Sequence, residues 1–303
     1  METMKQTAPA LPADVKAEKN TLARFNASIA SPEMSSYLAS VLGSRKESFI
    51  SNIISLVAND VKLQSCTPMS LIYAGIKATA IGLSIDPNLG QAYVIPYNTT
   101  SRYTDKATGE QRTVVRCVAQ FQMGYKGFYQ LALRSGLFRT INVTDIRAGE
   151  IDGFDLLTGE VSLRRVGNRE TLPVIGYAAY FALTGGFSKS LFMTSEEIRA
   201  HALKYSQTYK SKNEKVRDGS RWSTDFETMA RKTVLKLLLS RYAPLSTDLR
   251  AAVEADQCTF GDRGEMTYPD APAAVPSAAA PAVEERKENM RENGSASVTE
   301  DLP

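Results

Sequence analysis

The sequence predicts an α+β fold, and three observations carry that expectation. Strand-like segments cluster between Gln91 and Met193, with helical segments before and after them and no regular strand–helix alternation. A chain of 303 residues that is 43% hydrophobic can bury a sizeable core in one or two domains. The third is Ala119–Gly136, AQFQMGYKGFYQLALRSG, where the pattern changes from a strand period to a helix period across Gly124 and Gly127.

Residues 1–30 are polar and proline-dotted at their start and are expected to be flexible. Ser31-Pro32 pairs a capping residue with proline at the first helical position, predicting a helix to about Leu42. Arg45–Asn59 places Phe49, Ile53, Leu56 and Val57 on one face. Thr67-Pro68 opens a third helix with Met69, Ile72, Tyr73, Ile76 and Ala80 inward and Gly82 as its stop. Asp86-Pro87-Asn88 and Gly90 form a turn, and Gln91–Tyr97 alternates as a strand. Asn98–Arg112 is expected to be an unstructured polar connection to the strand Thr113–Met123.

After Gly127 a helix follows, with Phe128, Leu131, Ala132 and Ser135 on one face and Lys126, Gln130 and Arg134 on another. A lysine near a helix N-terminus opposes the helix dipole unless an anion binds there, so this corner is a candidate anion site. Thr140–Ile146, Val161–Arg165, Val174–Leu183 and Ser190–Met193 are strand-like, with turns at Asp152-Gly153 and Thr158-Gly159. Thr194-Ser195-Glu196-Glu197 is a capping box opening a helix to about Tyr205. Gln207–Ser220 is a charged connection expected to be flexible. Thr224-Asp225-Phe226-Glu227 forms a second capping box. Behind it Trp222, Phe226, Met229, Thr233 and Leu237 form an apolar face, and Thr228, Lys232 and Lys236 a polar one; Pro244 ends the helix. Leu249–Ala255 fits a short helix, and the Ala/Pro/Glu-rich sequence from Gly261 lacks the periodicity of a core.

Several function classes are disfavoured. No apolar run approaches the roughly 20 residues of a membrane span. The N-terminus lacks the apolar centre of a secretory signal, so a cytoplasmic location is expected. Cys66, Cys117 and Cys258 form no CxxC pair, His201 is the single histidine, and there is no GxxxxGK[ST] loop. Zinc chemistry, histidine catalysis and ATP-driven action are therefore disfavoured, and no cofactor is expected. Asp145, Glu150, Asp152 and Asp155 have the proximity of metal-nuclease carboxylates, but no basic catalytic residue accompanies them.

Charge points to a polyanion. The overall +3 divides into −5 over residues 261–303 and +8 over the rest. Residues 189–241 hold twelve Lys/Arg against six Asp/Glu, interleaved with Tyr205, Tyr209, Trp222 and Tyr242. Basic residues hold phosphates, and aromatic faces accept unstacked bases without sequence preference. For Trp222 the competing assignment is a core position, and for Lys204, Lys210, Lys212, Lys215 and Arg217 a solvated loop.

Three blocks occur in order: GLSIDPNLGQAYVIPY, AQFQMGYKGFYQLALRSG and RWSTDFETMARKTVLKLLLSRYAPLS. Together they resemble the RecT family of phage-type single-strand annealing recombinases, over about Ser31 to Asp256. The resemblance implies a small antiparallel β-sheet crossed by helices, with an N-terminal helical portion and DNA in a basic groove. It implies a non-enzymatic, ATP-independent protein that coats single-stranded DNA and anneals it, as homo-oligomeric rings or helical filaments. The implied partners are single-stranded DNA, the annealed duplex, a 5′–3′ exonuclease and the host single-strand-binding protein. Carried onto this chain, the groove candidates are Gln91, Tyr93, Lys126, Gln130, Arg134, Lys204, Lys210, Trp222, Arg231, Lys232, Lys236 and Arg241. The expected layout is a flexible N-terminus (1–30), a DNA-annealing domain (31–256) and a disordered acidic tail (257–303) serving recruitment or regulation. The alternative is a binder that protects single-stranded DNA without annealing it.

Overall fold

The helical N-terminal portion packs beneath a long hairpin. The computed structural model describes residues 22–104, 111–262 and 264–268; of the N-terminus expected to be flexible (1–30), residues 1–21 lie outside them, while residues 22–29 form a helix, which corrects that expectation. Residues 22–29 (α1) and Pro32–Leu42 (α2) are helical; the Ser31 hydroxyl accepts from Met34 N, and Gly43 stops α2 at a φ of 53°. Lys46–Asn59 (α3) buries Phe49, Ile53 and Val57, and the Asp60 carboxylate caps the short Val61–Gln64 (α4). Pro68–Ala80 (α5) is buried on almost every side, and Gly75 lets it approach the Phe49 ring, where a Cβ would lie 2.8 Å away. Thr67, the expected cap of α5, makes no side-chain cap bond. Ser70 instead accepts from Ala119 N and anchors α5 across the hairpin.

Ala92–Thr104 (β1) and Gln111–Met123 (β2) pair antiparallel in unbroken register from Ala92↔Met123 to Thr104↔Gln111. The expected loop at Asn98–Arg112 is therefore corrected: strand continues on both sides, and only 105–110 lie outside the described residues. The sequence of this half carries no apolar alternation; backbone pairing extends the ladder. Tyr125–Arg134 (α6) then carries the chain to a second sheet. There Phe138–Arg147 (β3), Val174–Leu183 (β6) and Ser188–Thr194 (β7) pair in the order β3-β6-β7. Ile151–Phe154 (β4) and Val161–Leu163 (β5) form a separate hairpin. Gly153, expected in a turn, lies within β4 beside a register shift, and Asp155 organises the turn beyond it.

Ser195–Tyr205 (α7) begins with the expected capping box of Thr194 and Glu197. The charged connection Gln207–Ser220, expected to be flexible, contains the helix Glu214–Asp218 (α8), capped by the Asn213 side chain, and is followed by the short helix Arg221–Thr224 (α9). Phe226–Tyr242 (α10) crosses the second sheet. Its cap is Asp225, which accepts from Thr228 N; the expected capping box headed by Thr224 is corrected to this single cap one residue later, because Thr228 stands at the third helical position. Thr247–Ala255 (α11) leads into Thr259–Phe260 (β8) and Met266–Thr267 (β9), completing the first sheet as β1-β2-β8-β9. A tail beginning at 257 was expected; instead Cys258, Thr259 and Phe260 are buried against β2, and the fold continues through β9. The class is α+β with antiparallel sheets crossed by helices. Among the described residues, no helix is long and apolar enough to cross a membrane.

Candidate nucleic-acid interface

The strand–turn–helix at Ala119–Gly136 is locked by two glycines. A Cβ on Gly124 would lie 2.0 Å from the Gly90 carbonyl oxygen, and one on Gly127 2.2 Å from that of Gln91. No side chain fits either approach. Gly124 N donates to the Gln91 carbonyl at 2.9 Å, and Ser84 N donates to the Gln91 side-chain oxygen at 3.0 Å. Gln91 thus holds the 84–91 loop against α6.

This clamp puts Tyr93 and Lys126 on either side of Gly90. A Cβ there would meet the Tyr93 hydroxyl at 3.1 Å and the Lys126 Cδ at 3.3 Å. Lys126 is exposed and has no ion-pair partner among the described residues, while the first turn of α6 has neither an acidic residue nor a side-chain cap. A free cation and uncapped amides at one helix start suit an anion such as a phosphate. Tyr93 continues into a cleft whose walls include Tyr125, Arg221, Asp225, Thr228 and Lys232. Burial raises the Tyr93 phenol above its ordinary range, and the nearby Arg221 charge opposes that shift. Arg221 and Tyr125 were not among the sequence candidates. The available signal for Arg221 was the one used at Lys126, a cation at a helix start.

A second basic patch surrounds His201. The imidazole is held below its ordinary value, first by burial and then by the charges of Lys236, Arg241 and Lys204. Lys204 lies over the Tyr205 ring at 5.2 Å and Lys189 over Tyr242 at 5.0 Å, so cations and aromatic faces alternate here. Gln130 and Lys210 are exposed.

Other candidates are committed to the fold. Lys232 is buried and bonds the Asp256 carboxylate at 2.9 Å; Lys236 bonds its other oxygen at 2.7 Å. Asp256 also accepts from Met123 N at 2.9 Å, which joins α10 to the end of β2. Burial alone would push this carboxyl up, but the two lysines hold it down at about 2. The expected polar face of α10 is thus an internal ion cluster. Arg231 bonds Asp145 and Glu227. Arg134 donates to the Ile81 and Gly82 carbonyls and pairs with Asp248 at 2.9 Å, closing the C-terminus of α5. Trp222 is buried between Tyr209 and Phe226, with ring centroids 6.2 and 5.8 Å away, and takes the core assignment.

The nuclease carboxylates are likewise engaged. Asp145 binds Arg147, Arg169 and Arg231, and Glu150 binds Arg169. Burial opposes ionisation of Asp145, yet the Arg147 hydrogen bond and the guanidinium charges keep its carboxyl below the usual range. The oxygens of Asp145 and Glu150 face guanidiniums, an arrangement for cross-linking strands rather than for holding a cation, and Asp155 caps its own turn at Leu157 N and Thr158 N.

A family model described as the RecT family matches residues 47–270. The Bacillus subtilis (strain 168) protein YqaK is 36% identical over 230 residues, which cover 76% of this chain and 71% of that protein. Protein RecT of Escherichia coli (strain K12) is 27% identical over 195 residues, covering 64% of this chain and 65% of its own length. The matched span takes in the β1–β2 hairpin, the clamped corner at Gly124 and the cleft beside Arg221, and with it the chain belongs to the RecT family.

Proposed function

We propose that this protein binds single-stranded DNA and anneals it to its complement during recombination, without nucleotide hydrolysis. The observation carrying the proposal is the clamped corner, where Lys126, without an ion pair among the described residues, and an uncapped helix start adjoin a cleft lined by Tyr93, Tyr125 and Arg221. Phosphate contacts beside aromatic faces hold a strand without reading its sequence, leaving base edges free to pair. Lys126, Arg221 and Tyr93 form one contact region, and Lys204 and Arg241 a second. Family membership and the relative named RecT support the same reading.

Annealing proceeds on a head-to-tail assembly, since a self-complementary two-fold contact closes at a dimer and cannot follow a strand. The annealing unit extends to about residue 270, and the acidic segment beyond it serves partners, among them a 5′–3′ exonuclease and the host single-strand-binding protein. The test is pairing of complementary oligonucleotides. The protein should accelerate pairing at saturating coverage, whereas a protector slows it. A chain ending at Asp270 should anneal bare oligonucleotides at least as fast as the full chain but lose activity that depends on those partners. Slowed pairing by the full chain refutes the annealing assignment.

A further inference from the structure

Cys66 and Cys117 lie 51 positions apart in sequence, yet their sulfurs are 3.2 Å apart. Cys66 ends the turn between α4 and α5 and is buried; Cys117 lies on β2 opposite Asn98 and is partly exposed. The two backbones are already joined, because Thr67 N donates to the Cys117 carbonyl at 3.0 Å. Ser65 Oγ donates to the Cys117 sulfur at 3.4 Å. These contacts favour a thiolate on the exposed partner: hydrogen bonds from Cys66 and Ser65 hold Cys117 down to about 6, against the effect of burial. Cys66 is shifted upward by that same contact and by burial, and burial pushes Cys258 up to about 11.

We propose that Cys66 and Cys117 form an oxidation site, at which a hydroperoxide produces an intrachain disulfide between the α4–α5 turn and the base of the β1–β2 hairpin. The Cys117 thiolate attacks the terminal peroxide oxygen; the O–O bond breaks, and the leaving group takes up a proton as water or an alcohol. The resulting Cys117 sulfenic acid is attacked by the Cys66 sulfur. The S–O bond then breaks, the hydroxide leaves with the Cys66 proton as water, and the S–S bond forms. Two thiols are oxidised and one hydroperoxide is reduced, with two electrons transferred. The bond would sit where the hairpin leaves the sheet, since β2 pairs with β8 only at Gln120↔Thr259. It therefore fixes the root of a ladder whose outer strands pair with each other beyond the β8 contact.

The experiment treats the full-length reduced chain with hydrogen peroxide, alkylates the remaining thiols and maps the peptides. The expected result is one Cys66–Cys117 crosslinked peptide, alkylated Cys258, and reversal by dithiothreitol. Cys258→Ser should keep the crosslink, and Cys66→Ser should leave a Cys117 sulfenic acid that dimedone traps. Hydrogen exchange at the amides of residues 97–118 should slow in the oxidised chain. Three alkylatable thiols after peroxide, or a crosslink that includes Cys258, would overturn the proposal. A Cys66–Cys117 crosslink with unchanged hairpin exchange would overturn the stapling role. The peptide map of the unsubstituted chain decides the outcome even if a variant fails to fold.

Discussion

Replacing Asp256 by Ala tests whether Lys232 and Lys236 act as structural groups. In the native chain the buried carboxylate bonds Lys232 at 2.9 Å, Lys236 at 2.7 Å and Met123 N at 2.9 Å. Its removal takes the Asp256 carboxylate away from the buried Lys232 ammonium, from Lys236 and from Met123 N, and losing one member of such a buried cluster costs about 3–5 kcal/mol. For a chain of this size that corresponds to a fall in Tm of roughly 10 °C. The single tryptophan, buried at Trp222, supplies a fluorescence signal for urea and thermal unfolding. The charge component has its own pH signature. The folded carboxyl lies at about 2 against an ordinary 3.8, so its contribution is fully present above the ordinary value and is lost as pH falls towards 2. This component is about 2 kcal/mol; it is smaller than the mutational loss because it omits the lost packing and hydrogen bonds of the carboxylate, including the Met123 bond. Lys232→Met should cost less, about 1–2 kcal/mol, because Asp256 keeps Lys236 and Met123. An Asp256→Ala chain within about 1 kcal/mol of the parent would refute the reasoning. So would a Lys232→Met chain of parental stability with a weakened salt dependence of DNA binding, which would return that lysine to a phosphate.

Lys126→Ala and Arg221→Ala should each reduce the salt slope of single-stranded DNA binding by about one phosphate's worth while leaving the urea midpoint in place. Titrations across a salt series decide this, and unchanged slopes in both variants place the strand elsewhere. Gly127→Ala should destabilise the chain by about 3 kcal/mol, since its Cβ would lie 2.2 Å from the Gln91 carbonyl and the backbone must move. Parental unfolding of that variant would mean the loop is not clamped. Arg134→Ala should lower stability by about 1 kcal/mol through loss of the Ile81, Gly82 and Asp248 contacts, with the DNA salt slope intact.

Elements set by a local rule were legible from the residues. Ser31-Pro32, the Thr194 box and the two-glycine corner each state their geometry within a few residues, and helices and inner strands follow where one face is buried. The outer hairpin was missed because SRYT and QRTV carry no apolar alternation, so periodicity had nothing to report. Lys232 and Lys236 were misassigned for a different reason. Spacing places them together on a helix, but their partner lies 24 and 20 residues downstream, and local periodicity carries no record of it. Arg134 has the same history, since its spacing shows an exposed stripe while its acceptors come from α5 and α11. The glycine-bracketed position of Lys126 is local and legible from spacing, whereas Tyr93 came only from the family resemblance, and its place beside Gly90 depends on a loop contact that spacing does not record.

Removing the committed cations changes what the charge of this chain means. Within residues 189–241, Arg231, Lys232 and Lys236 face carboxylates of the fold, and Arg217 pairs with Glu214 and Asp218. Arg199, Lys204, Lys210, Lys212, Lys215, Arg221 and Arg241 remain exposed without an ion pair among the described residues. These are distributed over α7, the segment around α8, α9 and the end of α10, and Lys126 lies on α6. Each phosphate contact releases counterions, and only a few such contacts per chain give weak binding at physiological salt. A strand that passes over many identical chains sums those contacts, so affinity grows with the length bound rather than with the strength of one site. Aromatic contact at Tyr93 and Tyr125 adds attraction that is less sensitive to salt. The reduced count of available cations therefore favours a protein that holds DNA as an assembly. It also predicts that oligonucleotides too short to bridge neighbouring chains bind poorly whatever their sequence.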